Sequence, residues 1–93
     1  MVRDGRIMNN PLQITVKTFA QTRELAGETD VTVTLDEGAT IAMLISVLRA
    51  RSPGWNLALT PSVLTARNQQ LCSKDTPIKD SDEIALFPPV TGG

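Results

Sequence analysis

Ninety-three residues are enough for one domain with one modest core, which buries somewhat over ~60% of the unfolded chain's surface. A formal net charge of −1 and a pI near 5.2 argue against a nucleic-acid binder, which carries a basic stripe. The chain has no His and a single Cys, so a Ser-His-Asp triad, a Cys-His pair, an imidazole metal site and an intrachain disulfide are all excluded.

Neither GxxxxGK[ST] nor GxGxxG occurs, so no phosphate loop is expected. Any acid, base or metal in a reaction of this chain has to be supplied from elsewhere. Met1 to Pro11 is polar and unpatterned. It reads as a flexible leader over residues 1–11, with Met8 as an alternative start. The leader lacks a signal-peptide core, and no apolar run approaches the ~18 residues of a bilayer span. The cytoplasm is therefore the expected compartment.

Leu12 to Ala20 alternates, with Leu12, Ile14 and Val16 on one face and Gln13, Thr15, Lys17 and Phe19 on the other. Phe19 thus falls on the polar face, as a local cover over a loop or as a partner contact. Gln21 to Ala26 reads as a short helical or turn segment stopped by Gly27, with Arg23 and Glu24 as solvated surface. Thr29 to Leu35 alternates again and forms a hairpin with the first strand. After a loop over Asp36 to Ala39, Thr40 is an N-cap. Ile41, Leu44, Ile45 and Leu48 then carry the apolar stripe of the one long helix. Arg49 and Arg51 lie in its last turn, and Pro53-Gly54 is expected to end it.

Trp55 to Thr60 reads as irregular or as a short helix, with Trp55, Leu57 and Leu59 as a satellite of the core. Ser62 to Arg67 is a strand, Asn68 to Gln70 a turn, and Leu71-Cys72 a short returning strand. Cys72 is a half-buried small hydrophobe or, as the rarer alternative, a reactive thiol. Ser73 to Glu83 is polar, and its acidic residues Asp75, Asp80, Asp82 and Glu83 form a solvated loop or present charge to a basic partner. In the last strand, Ile84 and Leu86 share one face, Ala85 and Phe87 the other. One main helix across a mixed sheet is a two-layer α+β architecture, the pattern of the β-grasp, or ubiquitin-like, fold, here spanning residues 12–87.

Residues 88–93 form an extended tail. Pro88 and Pro89 hold φ near −65° and cannot join a sheet ladder, so the chain leaves the last strand stiff and extended. Val90 and Thr91 continue that preference. Gly92 and Gly93 lack a Cβ, which lets another backbone or a nucleotide approach closely, and the α-carboxylate sits at the tip.

Three segments, Phe19-Ala20-Gln21-Thr22-Arg23-Glu24-Leu25-Ala26-Gly27, Asn68-Gln69, and Asp80 through Phe87-Pro88-Pro89-Val90-Thr91-Gly92-Gly93, together resemble the small, sulfur-carrier subunit of molybdopterin synthase. The resemblance runs from about Leu12 to Gly93. It implies that a ubiquitin-activating-like adenylyltransferase, using ATP and magnesium, adenylates Gly93, and that a sulfur donor converts the adenylate to a thiocarboxylate. It further implies that the tail, Pro88 to Gly93, enters the large subunit and gives sulfur to a cyclic pyranopterin precursor, within a heterotetramer. No bound cofactor and no metal is implied for this chain, only a non-catalytic carrier role. Phe19 and Phe87, both off the core face, become natural anchors for the large subunit, and by the same resemblance Arg23 and Leu71 join them. Sulfur carriage for thiamine or tRNA thiolation, and a ubiquitin-like protein modifier, are the alternatives that use the same end.

Overall fold

A computed structural model of the protein describes residues 11–89. It has five strands and three helices in the order β1 (Leu12–Thr18), α1 (Ala20–Ala26), β2 (Val31–Leu35), α2 (Ile41–Arg49), α3 (Pro53–Ala58), β3 (Leu64–Arg67), β4 (Gln70–Cys72) and β5 (Glu83–Phe87). The strands form one mixed sheet in the order β2-β1-β5-β3-β4. The central pair, β1 and β5, is parallel, and every other pairing is antiparallel. No helix among the described residues is long and apolar enough to cross a membrane.

The period-two pattern sets the register. Leu12, Ile14 and Val16 face Leu35, Val33 and Val31 across the first hairpin. Val16 lies opposite Ile84, and Thr18 opposite Leu86, across the parallel pair. A one-residue slip would turn all these side chains to the other face, so burial of one face specifies the pairing. On that face α2 lays down Ile41, Leu44, Ile45 and Leu48, as its spacing predicts, and the Thr40 hydroxyl accepts from the Met43 N–H at its start. Asn68 and Gln69 both take positive φ, 51° and 72°, between β3 and β4. A two-residue loop with both φ positive matches the twist of a tight hairpin.

Several sequence expectations are corrected. The first strand stops at Thr18, and Phe19 is the N-cap of α1. The second strand starts at Val31 rather than Thr29. Thr29 instead uses its hydroxyl to accept the Thr18 N–H at 3.1 Å. Pro53-Gly54 opens a helix instead of merely closing one. Pro53 occupies the first turn, where its missing N–H costs nothing, and the Ser52 hydroxyl caps the turn by accepting from Trp55 N–H. Trp55 is wholly buried in the main core, not in a satellite, whereas Leu57 points outward at 64% exposure.

Two polar networks hold the frame. The Glu28 carboxylate accepts from Arg51 Nε at 2.8 Å, Arg51 Nη2 at 3.0 Å and the Trp55 indole N–H at 2.6 Å. The hydrogen bonds from Arg51, then from Trp55, hold its pKa down to about 2. Asp82, expected in a solvated acidic loop, is 5% exposed. It takes Arg67 Nε at 2.5 Å, Asn68 Nδ2 at 2.9 Å and the Lys79 N–H at 2.8 Å. Burial pushes this carboxyl up, but the Arg67, Lys79 and Asn68 hydrogen bonds outweigh it and hold it below the ordinary value. The network rivets the end of the sheet where β5 begins.

Candidate functional site at the root of the tail

Because β5 runs parallel to β1 in the middle of the sheet, both strands finish at the same end. The Phe19 N–H donates to the Leu86 carbonyl at 3.2 Å, so the chain that leaves β1 is tied to the chain that leaves β5. Phe19 is extended, with φ −135° and ψ 152°, which carries the alternation one residue past the strand and keeps Phe19 on the face of Lys17. The next residue, Ala20, turns the chain into α1 with φ 54°. That left-handed conformation costs a non-glycine residue roughly 1–2 kcal/mol. One turn later the Arg23 N–H donates to the Phe19 carbonyl at 3.3 Å, which places the exposed Arg23 beside Phe19. Gly27, in the left-handed region at φ 78°, ends the helix through its N–H to the Arg23 carbonyl.

The sheet face away from the helices becomes apolar toward this end. Lys17, Ala85, Ala66 and Leu71 are successive cross-strand neighbours in one row. Phe87 and Leu64 are paired in the next row toward the tail, where Phe19 also falls. The small Ala85 and Ala66 leave Phe87 and Leu71 standing above a flat floor. Leu71 is 74% exposed and Phe19 49%, while Phe87 and Leu64 are half-buried. Phe87 is therefore off the core face as expected, though partly covered by its neighbours. The neighbouring cation, Lys17, is engaged by Asp30 at 2.6 Å, and that hydrogen bond raises its pKa. A patch of this composition can grip a partner but offers no acid, base or nucleophile.

Of the residues expected at the site, Phe19, Arg23, Phe87, Pro88 and Pro89 gather where β5 ends. Leu71 shares the open face two strands, or about 10 Å, from β5. Pro88 is half-buried and Pro89 exposed. Val90, Thr91, Gly92 and Gly93 lie outside the described residues. Leu64 was missed by the sequence reading, although its alternation against the buried Val63 and Thr65 was the signal for it. Cys72 is half-buried on β4 with its sulfur 3.6 Å from the Thr65 hydroxyl, as a small hydrophobe would sit. A concavity of about 610 Å³ beside Pro11, Leu12, Pro77 and Ile78 is at the opposite end of the sheet, away from the tail.

Residues 16–93 match the model of the ThiS family. The chain is 48% identical over 81 residues to the molybdopterin synthase sulfur carrier subunit of Escherichia coli, covering 86% of this chain and 99% of that one. Its fold is similar to small archaeal modifier protein 1 of Haloferax volcanii, with a TM-score of 0.75 at 28% identity over 85% of this chain and 99% of that one. It is also similar, with a TM-score of 0.63 at 25% identity, to a chain in the complex of subunits 1 and 2 of the molybdopterin-converting factor from Helicobacter pylori, covering 88% and 100%. A β-grasp body with an open apolar face where β5 ends, matched over residues 16–93, thus belongs to the ThiS family, among its molybdopterin synthase sulfur carrier subunits.

Proposed function

We propose that this chain carries sulfur in molybdenum cofactor biosynthesis as the small subunit of molybdopterin synthase. The observation that supports this best is the placement of an open apolar patch, Phe19, Leu64, Leu71 and Phe87, at the root of a Pro-Pro-Val-Thr-Gly-Gly tail in a chain 48% identical to such a carrier. A carboxylate is a poor acyl donor because its oxygen leaves badly. In this reading the Gly93 carboxylate oxygen attacks the α-phosphorus of ATP on the adenylyltransferase, with magnesium there, and pyrophosphate leaves. Sulfur at the sulfide level, released by the donor, then attacks the acyl carbon, displaces AMP and yields a thiocarboxylate.

The thiocarboxylate sulfur is more polarisable and more nucleophilic than oxygen. In the large subunit it attacks an oxygen-bearing carbon of the cyclic pyranopterin precursor, the carbon–oxygen bond breaks with the oxygen leaving, and an acyl thioester joins tail and pterin. Water cleaves the remaining acyl–sulfur bond, which leaves sulfur on the pterin and restores the carboxylate. Two deliveries build the dithiolene. The glycines admit the tail to a channel that a side chain would block. The body supplies only the grip.

Mass spectrometry after incubation with the adenylyltransferase, ATP, magnesium and a sulfur donor tests the reading. An oxygen-to-sulfur mass increase on the intact chain, lost again on addition of the large subunit and precursor, is the expected result. The structural likeness to a small archaeal modifier protein favours a second reading, attachment to lysine, which would appear instead as a branched conjugate. An unchanged mass would overturn both.

A further inference from the structure

On the helix side of the sheet, the tail root borders a groove of about 170 Å³. Its walls are Leu25 and Thr22 of α1, Leu57 and Ala58 of α3, and the tail's own Pro88 and Pro89. A cavity of ~150 Å³ holds a benzene ring, so the groove has room for one apolar side chain. Leu25 and Leu57 are exposed, at 41% and 64%, although α1 and α3 bury Ala26, Trp55 and Ala58 in the core that α2 covers. The groove and the sheet patch therefore flank the same root from opposite sides of the sheet.

We propose that this groove is a second docking face for the large subunit, filled by an apolar side chain from the rim of the large subunit's tail channel. The proposal rests on the carrier reading above. In that reading, four residues, Val90 to Gly93, separate Pro89 from the reacting carboxylate. Fully extended they span at most about 14 Å. An active site that shelters the carboxylate from water uses up that reach, so the rim of its channel comes down on Pro88 and Pro89. A rim closed around the root touches both sides of it, the groove as well as the patch.

Area points the same way. A stable interface buries about 800 Å² per partner. Aromatic side chains supply about 150–250 Å² each when wholly buried. Phe19 is already half covered, and Phe87 and Leu64 are too, so these with Leu71 fall well short. The interface must spread past the patch, and the tail carries it across the root toward Leu25 and Leu57. A permanent subunit needs this area more than a transient activating enzyme does, which is why the large subunit is the occupant.

Leu57→Ser and Leu25→Ser, each in the full-length chain, test the proposal by calorimetric titration with the purified large subunit, with Leu71→Ala as the control for the sheet patch. Leu57→Ser should weaken binding about 5- to 30-fold, from the two-thirds of its side chain still to be buried. Amide exchange over Gln21–Ala26 and Trp55–Ala58 should slow on complex formation with the wild-type chain, a readout that needs no variant to fold. Wild-type affinity for both serine variants with weakened Leu71→Ala overturns the groove and keeps the carrier reading. Wild-type affinity for all three overturns the groove and the sheet patch alike, whereas a wild-type chain that does not bind the large subunit overturns the carrier reading. Loss of adenylation alone, or loss of a self-dimer alone, with unchanged large-subunit affinity, assigns the groove to another occupant and overturns the proposal.

Discussion

Leu71→Ala separates grip from stability. Leu71 sits on the edge strand β4 with 74% of its surface exposed, so the free protein draws on about a quarter of its hydrophobic burial. Full burial of a leucine side chain is worth about 1.5–3 kcal/mol. The free chain should therefore lose only about 0.4–0.8 kcal/mol, a Tm decrease of roughly 2–6 °C at this size. If the large subunit covers the remaining three-quarters, binding should weaken by about 1.1–2.2 kcal/mol, or about 6- to 40-fold in Kd. Calorimetric titration against the large subunit and a thermal melt of the free variant measure the two numbers. A Kd within twofold of wild type would refute the assignment of the open sheet face to docking. A Tm drop of the size produced by a core deletion, about 2–5 kcal/mol, would refute the placement of Leu71.

Gly92→Val should leave Tm unchanged and abolish sulfur transfer, because a branched side chain blocks a channel sized for glycine; normal transfer in a single-turnover assay would count against threading. Glu28→Gln should flatten the acid limb of the stability profile. The folded carboxyl titrates at about 2 against an ordinary 4.5, so its contribution is complete above pH 4.5 and disappears as pH falls toward 2. Midpoints followed by fluorescence of Trp55, the only tryptophan, should converge for the two proteins in that window, and parallel curves would contradict the assignment. Gly54→Ala should cost about 1–3 kcal/mol, since a Cβ there strikes the Leu25 carbonyl oxygen and forces α1 from α3; an unchanged Tm would show that the two helices have slack.

The sheet was legible because its signals are local. Alternation in Leu12–Val16, Val31–Leu35 and Ile84–Phe87 assigns each residue a face, and the faces survive errors of one or two residues at strand ends. The helix over Ile41–Arg49 was legible for the same reason, down to its Thr40 cap. Reading failed where a distant partner decides. Asp82 looks like one of several loop acids, and only the folded chain brings Arg67 and Asn68 to it. Leu57 looks like core in sequence, yet α3 turns it to solvent because Trp55 and Ala58 take the inner face. Pro53-Gly54 carries the same residues whether it stops a helix or starts one. The difference lies in Ser52, which caps forward onto Trp55. At the site, Phe19 and Phe87 could be placed off the core from alternation, but their company, Leu64 and the alanine floor, follows from register.

Ordering four tail residues costs about 4–8 kcal/mol of backbone entropy at ~1–2 kcal/mol each. The exposed fractions of Leu71 and Phe19 return about 2–4 kcal/mol together, at about 1.5–3 kcal/mol for full burial of each. These two side chains therefore offset only about half of that cost, and the body limits the rest in two ways. One is economy: the rings of Pro88 and Pro89 fix φ, so the two residues between β5 and those four add little to the cost. The other is rigidity. The hydrogen bond from Phe19 to Leu86 ties the ends of β1 and β5, and Glu28 clamps Arg51 and Trp55 behind them, so the gripping side chains lose little further freedom on docking. A parallel central pair is what makes this possible. It delivers the last strand to the start of α1, so that whatever takes hold of the tail meets the first turn of the chain at the same moment.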